Sequence, residues 1–566
     1  YKRQAYMGYD SARRLLHQSN ALGEYSYFFY DARGTRTHVL NPRGYSTYMR
    51  YDLLGRQTHT IDALGGVSYM GYDATGNRTL AQDELGHATY FFFDGLSRNT
   101  RVMDATLKST YMGYDSRSSL VERIDADGRG TYMAYDVARR LERQFHRTPV
   151  AGEAETAPSY FVYDQVSNVK IVDDRLAGLN VTYFDHDVMD RVVKKVTLAG
   201  ATYYDYDRSG RKVGFKDADL SKNYYVYDAA GRLVREWLDD ARTAYFHHDA
   251  SGRLTTKILP QNGSNKLMTY HAFDVAGRLS RLESHAVLGG VPGLITYFSY
   301  QRNANGQQTW VRNEDGQNSY FEYDALNRLT LDERKSSSAT LYGFRYAYDL
   351  AGNRDRKVTI HESNSRTYYV YDTRNLLVKE GVEGAGTTIY YDFDSARRMS
   401  AMRPTGADVQ SAYFAHDQRN RATGIAFTKA TSPDTTRSFG YSGAGERVFV
   451  TDDTTTYWQH DGQKLVREGS TADAMTRRYR RSDPVEIAQA GPFKFYPATD
   501  EQGSVRKFVD NIEGGVVGQS YTDQFGVKLG ESNDVSGLAQ VRTRWQGSSV
   551  SGLNTTNDDF YLTGAG

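Results

Sequence analysis

The 566-residue sequence has no cysteine, which excludes a disulfide framework and any thiolate metal centre and leaves the redox compartment open. An excess of one charge is also missing, since 70 Lys and Arg stand against 69 Asp and Glu. That balance offers no field to draw a polyanion or an anionic membrane and argues against nucleic acid as a partner. No apolar run reaches the roughly 18 residues of a membrane span, and no charged-then-apolar leader opens the chain. Hydrophobic residues amount to only 39%, so aliphatic material for several separately packed cores is scarce. The chain starts at Tyr1 inside a repeat and stops at Gly566 with no obvious tail, which leads us to expect a fragment.

What is abundant is tyrosine, 46 copies, and glycine, 52 copies, and both are periodic. Tyr9-Asp10, Tyr30-Asp31, Tyr51-Asp52, Tyr72-Asp73, Phe93-Asp94, Tyr114-Asp115 and Tyr135-Asp136 recur every 21 residues. Midway between them stand further Asx residues, Asn20, Asn41, Asp62, Asp83, Asp104 and Asp125. Glycine follows many of these turn residues three positions on, as at Gly34, Gly55 and Gly76. An Asx side chain bonds backbone N–H groups a few residues ahead, and glycine takes the left-handed conformation that closes a tight hairpin. Each half-repeat is therefore one strand of six or seven residues plus one turn, and each repeat one antiparallel hairpin.

A second tyrosine precedes each Tyr-Asp pair by three positions, from Tyr6 and Tyr27 to Tyr132. Alternation along a strand puts the two on opposite faces, so both faces carry tyrosine. Return strands such as Arg36 to Leu40 and Arg56 to Ile61 are mostly polar, and the sheet reads as a single wall wetted or loosely lined on both sides. Arg13, Ser97, Leu107, Ser118 and Arg139 stand where the turn glycine belongs; equivalent turns require several of them to adopt positive φ. After Arg147 the repeats continue with longer spacings, as at Tyr227-Asp228-Ala229-Ala230-Gly231 and Phe273-Asp274. Inserts at Pro149 to Pro158, Leu259 to Lys266 and His285 to Pro292 read as loops projecting from one edge.

Motifs for chemistry are absent. There is no His-Glu-x-x-His, Walker loop or Gly-x-Ser-x-Gly turn, and no carboxylate pair stands out for glycoside cleavage. Asp185-His186-Asp187 and His247-His248-Asp249 contain metal-capable groups, but their His and Asp fill the Tyr and Asp slots of the repeat. Turn Asp and Arg residues read as exposed ion pairs, each worth roughly 0 to 1 kcal/mol. No catalytic residue, metal ligand or cofactor is assigned; the residues singled out are the repeat positions Tyr30, Asp31, Gly34, Tyr51, Asp52, Gly55, Tyr72, Asp73, Gly76, Tyr227, Asp228 and Gly231.

The run Tyr-Asp-x-x-Gly-Arg-Leu at Tyr227 to Leu233, with Phe for Tyr at Phe273 to Leu279, resembles the RHS/YD-repeat family of bacterial Rhs polymorphic toxins, the C component of Tc toxins and animal teneurins. Asp500 to Arg506, Tyr521 to Gly526 and Tyr561 to Gly564 resemble the opening of the RHS-associated core and favour the bacterial branch. The resemblance implies an all-β fold, a curved, spiralling single-layer sheet of tandem antiparallel hairpins that forms a hollow shell or part of one. It also implies a shell that encloses or presents a C-terminal toxin or effector, in a secreted or cell-surface bacterial protein; the missing catalytic motifs lead us to expect no enzymatic role for this chain. Implied partners are that cargo or other copies and flanking parts of the same protein. The alternative is a surface scaffold or adhesin that binds carbohydrate or neighbouring cells. The family's paired Asp-Pro-x-Gly self-cleavage element has no match, since Asp483-Pro484 is followed by Val485-Glu486. Residues 1–147 are then regular repeats, 148–160 an insert loop, 161–480 irregular repeats, and 481–566 the start of a core-like segment.

Overall fold

The computed structural model describes residues 5–147 and, apart from breaks of one to five residues in the connections, residues 158–470; beyond 470 it describes the strands alone, to 549. Side chains are followed as far as Trp458. The insert at 148–157 and the segments 500–504, 523–527 and 550–566 lie outside the described residues.

The described chain is β-strand and turn, with hairpins from end to end. Every described pairing is antiparallel and joins strands adjacent in the sequence, such as Val67–Tyr72 with Arg78–Gln82 and then Arg78–Gln82 with Ala88–Phe93. The half-period of ten or eleven residues is thus one strand and one turn, as the spacing predicts.

The turn chemistry explains the repetition. In each Asp-x-x-Gly unit the fourth residue's N–H donates to the Asp carbonyl, as Gly55 to Asp52 at 3.1 Å, and the Asp N–H donates to the fifth residue, Arg56, at 3.0 Å. This is a type I turn followed by a left-handed residue. The pairing slips by one residue just after it, between Arg50 and Tyr51 against the return strand. Glycine supplies the left-handed step at Gly55, φ +77°. All five non-glycine substitutes adopt it too, with φ of 61° at Arg13, 60° at Ser97, 65° at Leu107, 66° at Ser118 and 64° at Arg139. The turns keep one type, and the strain is carried locally. Leu107→Gly should therefore stabilise its hairpin by up to about 1 kcal/mol, read as a higher urea midpoint; a loss of stability contradicts it.

Contacts divide the chain into two units. One comprises Tyr1–Ala157, Phe273–Arg278 and Tyr300–Thr436; the other comprises Pro158–Ala272, Leu279–Ser299 and Arg437–Gly566. Between residues 5 and 147 no large apolar side chain is buried, in keeping with a wall wetted on both faces. Later repeats differ. The residue two positions before the slot of the Tyr-Asp tyrosine is buried at Phe246, Phe298, Phe321, Tyr369 and Phe439. In the second unit Phe246 packs with Ala244, Leu259 and Leu267, flanked by Leu233, Leu254 and Ile295, while Phe215 packs with Tyr225. That position is Met49, Met70, Met112 and Met133 in the regular repeats, none of them buried.

Two insert expectations need correction. His285 to Pro292 is not a loop. Leu279–Leu288 and Val291–Arg302 continue as one long hairpin in which Leu288 pairs with Val291 across Gly289-Gly290. Both glycines have positive φ, 56° and 89°, and a two-residue Gly-Gly tip of this kind matches the twist of paired strands. Leu259 and Pro260 are likewise strand residues, pairing with Leu267 and Lys266; residues 261–265 lie outside the described residues.

Candidate functional site, the turn ladder

The side chains singled out in the sequence come together at the turns. Asp52 Oδ1 accepts the N–H groups of Leu54 and Arg56, both at 2.9 Å, and Asp31 serves Arg33 and Thr35 in the same way at 2.9 and 2.8 Å. Asp228 accepts from Ala230 and Arg232 at 2.9 Å each, and Asp73 from the Asn77 N–H and the Thr75 hydroxyl at 2.8 Å each. Gly34, Gly55, Gly76 and Gly231 take the left-handed step, with φ from 77° to 97°.

In many copies the tyrosine of the Tyr-Asp pair reaches back to the previous hairpin. Its hydroxyl donates to a main-chain carbonyl there: Tyr30 to Leu15 at 3.0 Å, Tyr51 to Arg36 at 3.0 Å, Tyr72 to Gln57 at 2.9 Å and Tyr227 to Lys212 at 2.9 Å. The tyrosine three positions earlier is on the other face and open, as Tyr27 beside Tyr30 in a strand whose residues alternate in exposure.

Arginine supplies a third component that the sequence reading understated. Arg56 Nε donates to Asp52 Oδ2 at 2.7 Å, its Nη1 donates to the carbonyl of the next turn's Asp73 at 2.7 Å, and its guanidinium lies 4.8 Å over the Tyr72 ring. Arg14, Arg98, Arg211 and Arg328 repeat all three contacts. These are not merely exposed ion pairs. The Arg56 and Asp52 side chains are only 25% and 24% exposed, and each guanidinium ties its own turn to the next one. The signal was present in the sequence as Arg14 before Tyr30, Arg56 before Tyr72 and Arg211 before Tyr227, three pairs at the same separation.

The ladder sets the charge state of the turns. The Arg56 backbone N–H, with its guanidinium, holds Asp52 below the usual carboxylate range. Asp73 is pulled down to about 2, chiefly by the Asn77 side chain, and Asp187 to about 2, chiefly by that of Arg191. A carboxylate depressed on folding contributes stability above its ordinary value of 3.8, and that stability drains away as pH falls toward about 2. Acid titration followed by far-UV circular dichroism should show strand content lost in this window; a flat signal through it contradicts the ladder's electrostatic role.

The metal-capable residues serve the repeat. Asp187 Oδ2 accepts from Arg191 Nε at 2.8 Å, Asp249 Oδ2 from Arg253 Nε at 2.6 Å, and His186 pairs with Val192 in the sheet. No group of three His, Asp or Glu suited to an ion occurs among the described residues. No helix there is long and apolar enough to cross a membrane.

The turns also meet across long sequence distances. Within the first unit Arg43 of one Asx turn donates to the carbonyls of Tyr323 and Asp324, each at 2.8 Å. Asn375 donates to Asp83 Oδ2 at 3.0 Å, and the Ser395 N–H to Asp127 Oδ1 at 2.9 Å. Within the second unit Lys195 Nζ lies 2.7 Å from Glu446 Oε1. Asx turns of early hairpins thus abut Tyr-Asp turns of hairpins a further 250 or more residues along.

No protein-family profile matches the chain. No curated protein matches it. Among solved structures it is similar to a Photorhabdus luminescens Tc holotoxin pore, at 15% identity and TM-score 0.48 over 97% of this chain and 31% of that one. It is similar also to a TcdB2-TccC3-Cdc42 complex, at 13% identity and TM-score 0.46, over 97% of this chain and 35% of that one. A TcdB2-TccC3-TEV structure aligns at 14% identity and TM-score 0.48, again over 97% of this chain and 36% of the other. The chain thus spans about a third of the length of the structures it resembles.

Proposed function

We propose that this chain is the repeat shell of a bacterial Rhs-type secreted or cell-surface protein, and that its task is to enclose or present a C-terminal toxin or effector. The observation that carries the reading is the return of the ribbon on itself within a unit, where turns 254 to 292 residues apart are hydrogen-bonded. A wall built this way separates two sides without needing a solid core. The Tyr, Asp and Arg side chains that look most reactive are engaged in holding neighbouring hairpins together. The test is co-expression with the segment encoded immediately downstream, followed by limited proteolysis. The expected result is that the downstream segment survives while the ribbon is intact and is digested once the ribbon is unfolded. Equal digestion in both cases overturns the proposal.

A second reading, glycan binding, is favoured by one observation. Tyr27, Tyr48 and Tyr111 stand on one face at repeat spacing, 38%, 46% and 47% exposed, where rings can stack on sugars. Binding on a glycan array that is lost with Tyr48→Ala and Tyr111→Ala supports it; no binding by the parent chain rejects it.

A further inference from the structure

Among the copies whose side chains are described, three carry histidine in the slot of the Tyr-Asp tyrosine, namely His186, His248 and His416. The ordinary occupant is an uncharged ring beneath an arginine, as Tyr227 lies 5.1 Å under Arg211. A histidine there is compatible with that cation only while it is neutral. Upstream of His186 the arginine is replaced by Asn168, whose side chain bonds Asp164 and Asp190. Upstream of His416 it is Arg398, and Arg398 has a second duty.

Arg398 is 6% exposed and holds three partners. Its Nε donates to Asp394 Oδ2 at 2.5 Å, Nη1 to Asn420 Oδ1 at 2.7 Å and Nη2 to Asp127 Oδ2 at 2.9 Å. The other oxygen of Asp127 accepts the Ser395 N–H at 2.9 Å. All lie in the first unit, and Asp127 is 271 residues from Arg398 in sequence. One guanidinium therefore links two consecutive Tyr-Asp turns to an Asx turn of a distant hairpin.

We propose that His416 is a proton-operated release for this seam: an imidazolium formed in the tyrosine slot repels Arg398 and frees Asp127. The charged groups acting on the ring are Arg398 and Asp394 of the preceding turn, Arg129 of the opposing Asx turn and Asp417 of its own turn. Asp417 is itself held by Arg421 at 2.6 Å. Two cations and two carboxylates therefore face the slot, and both carboxylates already have guanidinium partners. The added proton meets charge that is spoken for. Burial first, and Arg398 next, hold the ring below the ordinary imidazole value of 6.5. A group depressed in the closed state stabilises that state fully above its ordinary value and loses the contribution as pH falls through the depressed one. The seam should loosen as pH falls below 6.5.

The experiment is hydrogen exchange with mass readout on the full chain at about pH 7.5 and about pH 5.5, corrected for intrinsic exchange. The peptides to follow cover 122–131 and 391–405. Both should lose protection together by about tenfold at the lower pH. His416→Tyr restores the repeat's own residue and should keep both protected. Equal loss in His416→Tyr, or no loss in the parent chain, overturns the proposal. Asp127→Asn, which weakens the seam and leaves His416 in place, should show low protection in both peptides at both pH values. A pH response in that variant as large as the parent's also overturns it.

Discussion

Replacing Phe246 by alanine is expected to cost about 3–5 kcal/mol, the largest effect of any single substitution considered. The side chain is 2% exposed and packs on Ala244, Leu259 and Leu267, so truncation removes transferred area and leaves a cavity that strands pinned on both sides cannot close. A hairpin array is nearly one-dimensional, and the loss should fall on nearby hairpins more than on remote ones. Hydrogen exchange by strand, combined with guanidinium unfolding, reads this directly. Tyr48→Ala is the contrast: that ring is 46% exposed, and its loss should shift stability by no more than about 0.5 kcal/mol. Similar costs at the two sites would mean that burial does not govern stability here.

The second large effect concerns the ladder. Arg211→Ala removes a 2.6 Å bond to Asp207, a 3.2 Å bond to the Asp228 carbonyl and the stacking over Tyr227. Charged hydrogen bonds of this kind are worth about 1.5–3 kcal/mol, and the lower end applies because Arg211 and Asp207 are 34% and 23% exposed. Lysine should not rescue the loss, since a point charge cannot hold its own turn, bond the next one and lie flat over a ring at once. A double-mutant cycle of Arg211→Ala with Tyr227→Phe should show coupling of about 0.5 kcal/mol or more, because the tyrosine hydroxyl and the guanidinium fix the same joint between hairpins. Simple additivity would reduce the ladder to a set of independent surface contacts.

Both effects bear on what could be read without coordinates. The hairpin and its turn were legible because the chemistry is local: Asp52, Gly55 and Arg56 lie within five residues and dictate their own geometry. Even the strained left-handed state of Ser97 and Leu107 followed from register alone. The long hairpin at Leu279–Arg302 was misread because Gly289-Gly290 with Pro292 looks like a loop, and only pairing along both arms makes it a two-residue tip. The arginine's reach to the next turn was understated for a related reason. An Asp-Arg pair close in sequence is read first as a partner for itself.

Sequence alone determined that this chain is a ribbon of hairpins, since Asx turns, left-handed glycines and strand lengths are set by interactions a few residues in range. It determined also that aromatic and guanidinium groups would carry what aliphatic cores could not. Tertiary structure decided which hairpins bury the side chain two positions before the Tyr-Asp slot, as at Phe246 and Phe321 against the half-buried Met70 and Met112. It decided too which turns meet, as Arg43 with Asp324 and Asp127 with Arg398. The physical reason is one of range. Small changes of twist at each hairpin accumulate along the ribbon, and a repeat that looks the same at every position carries no local mark of the distant turn it will touch.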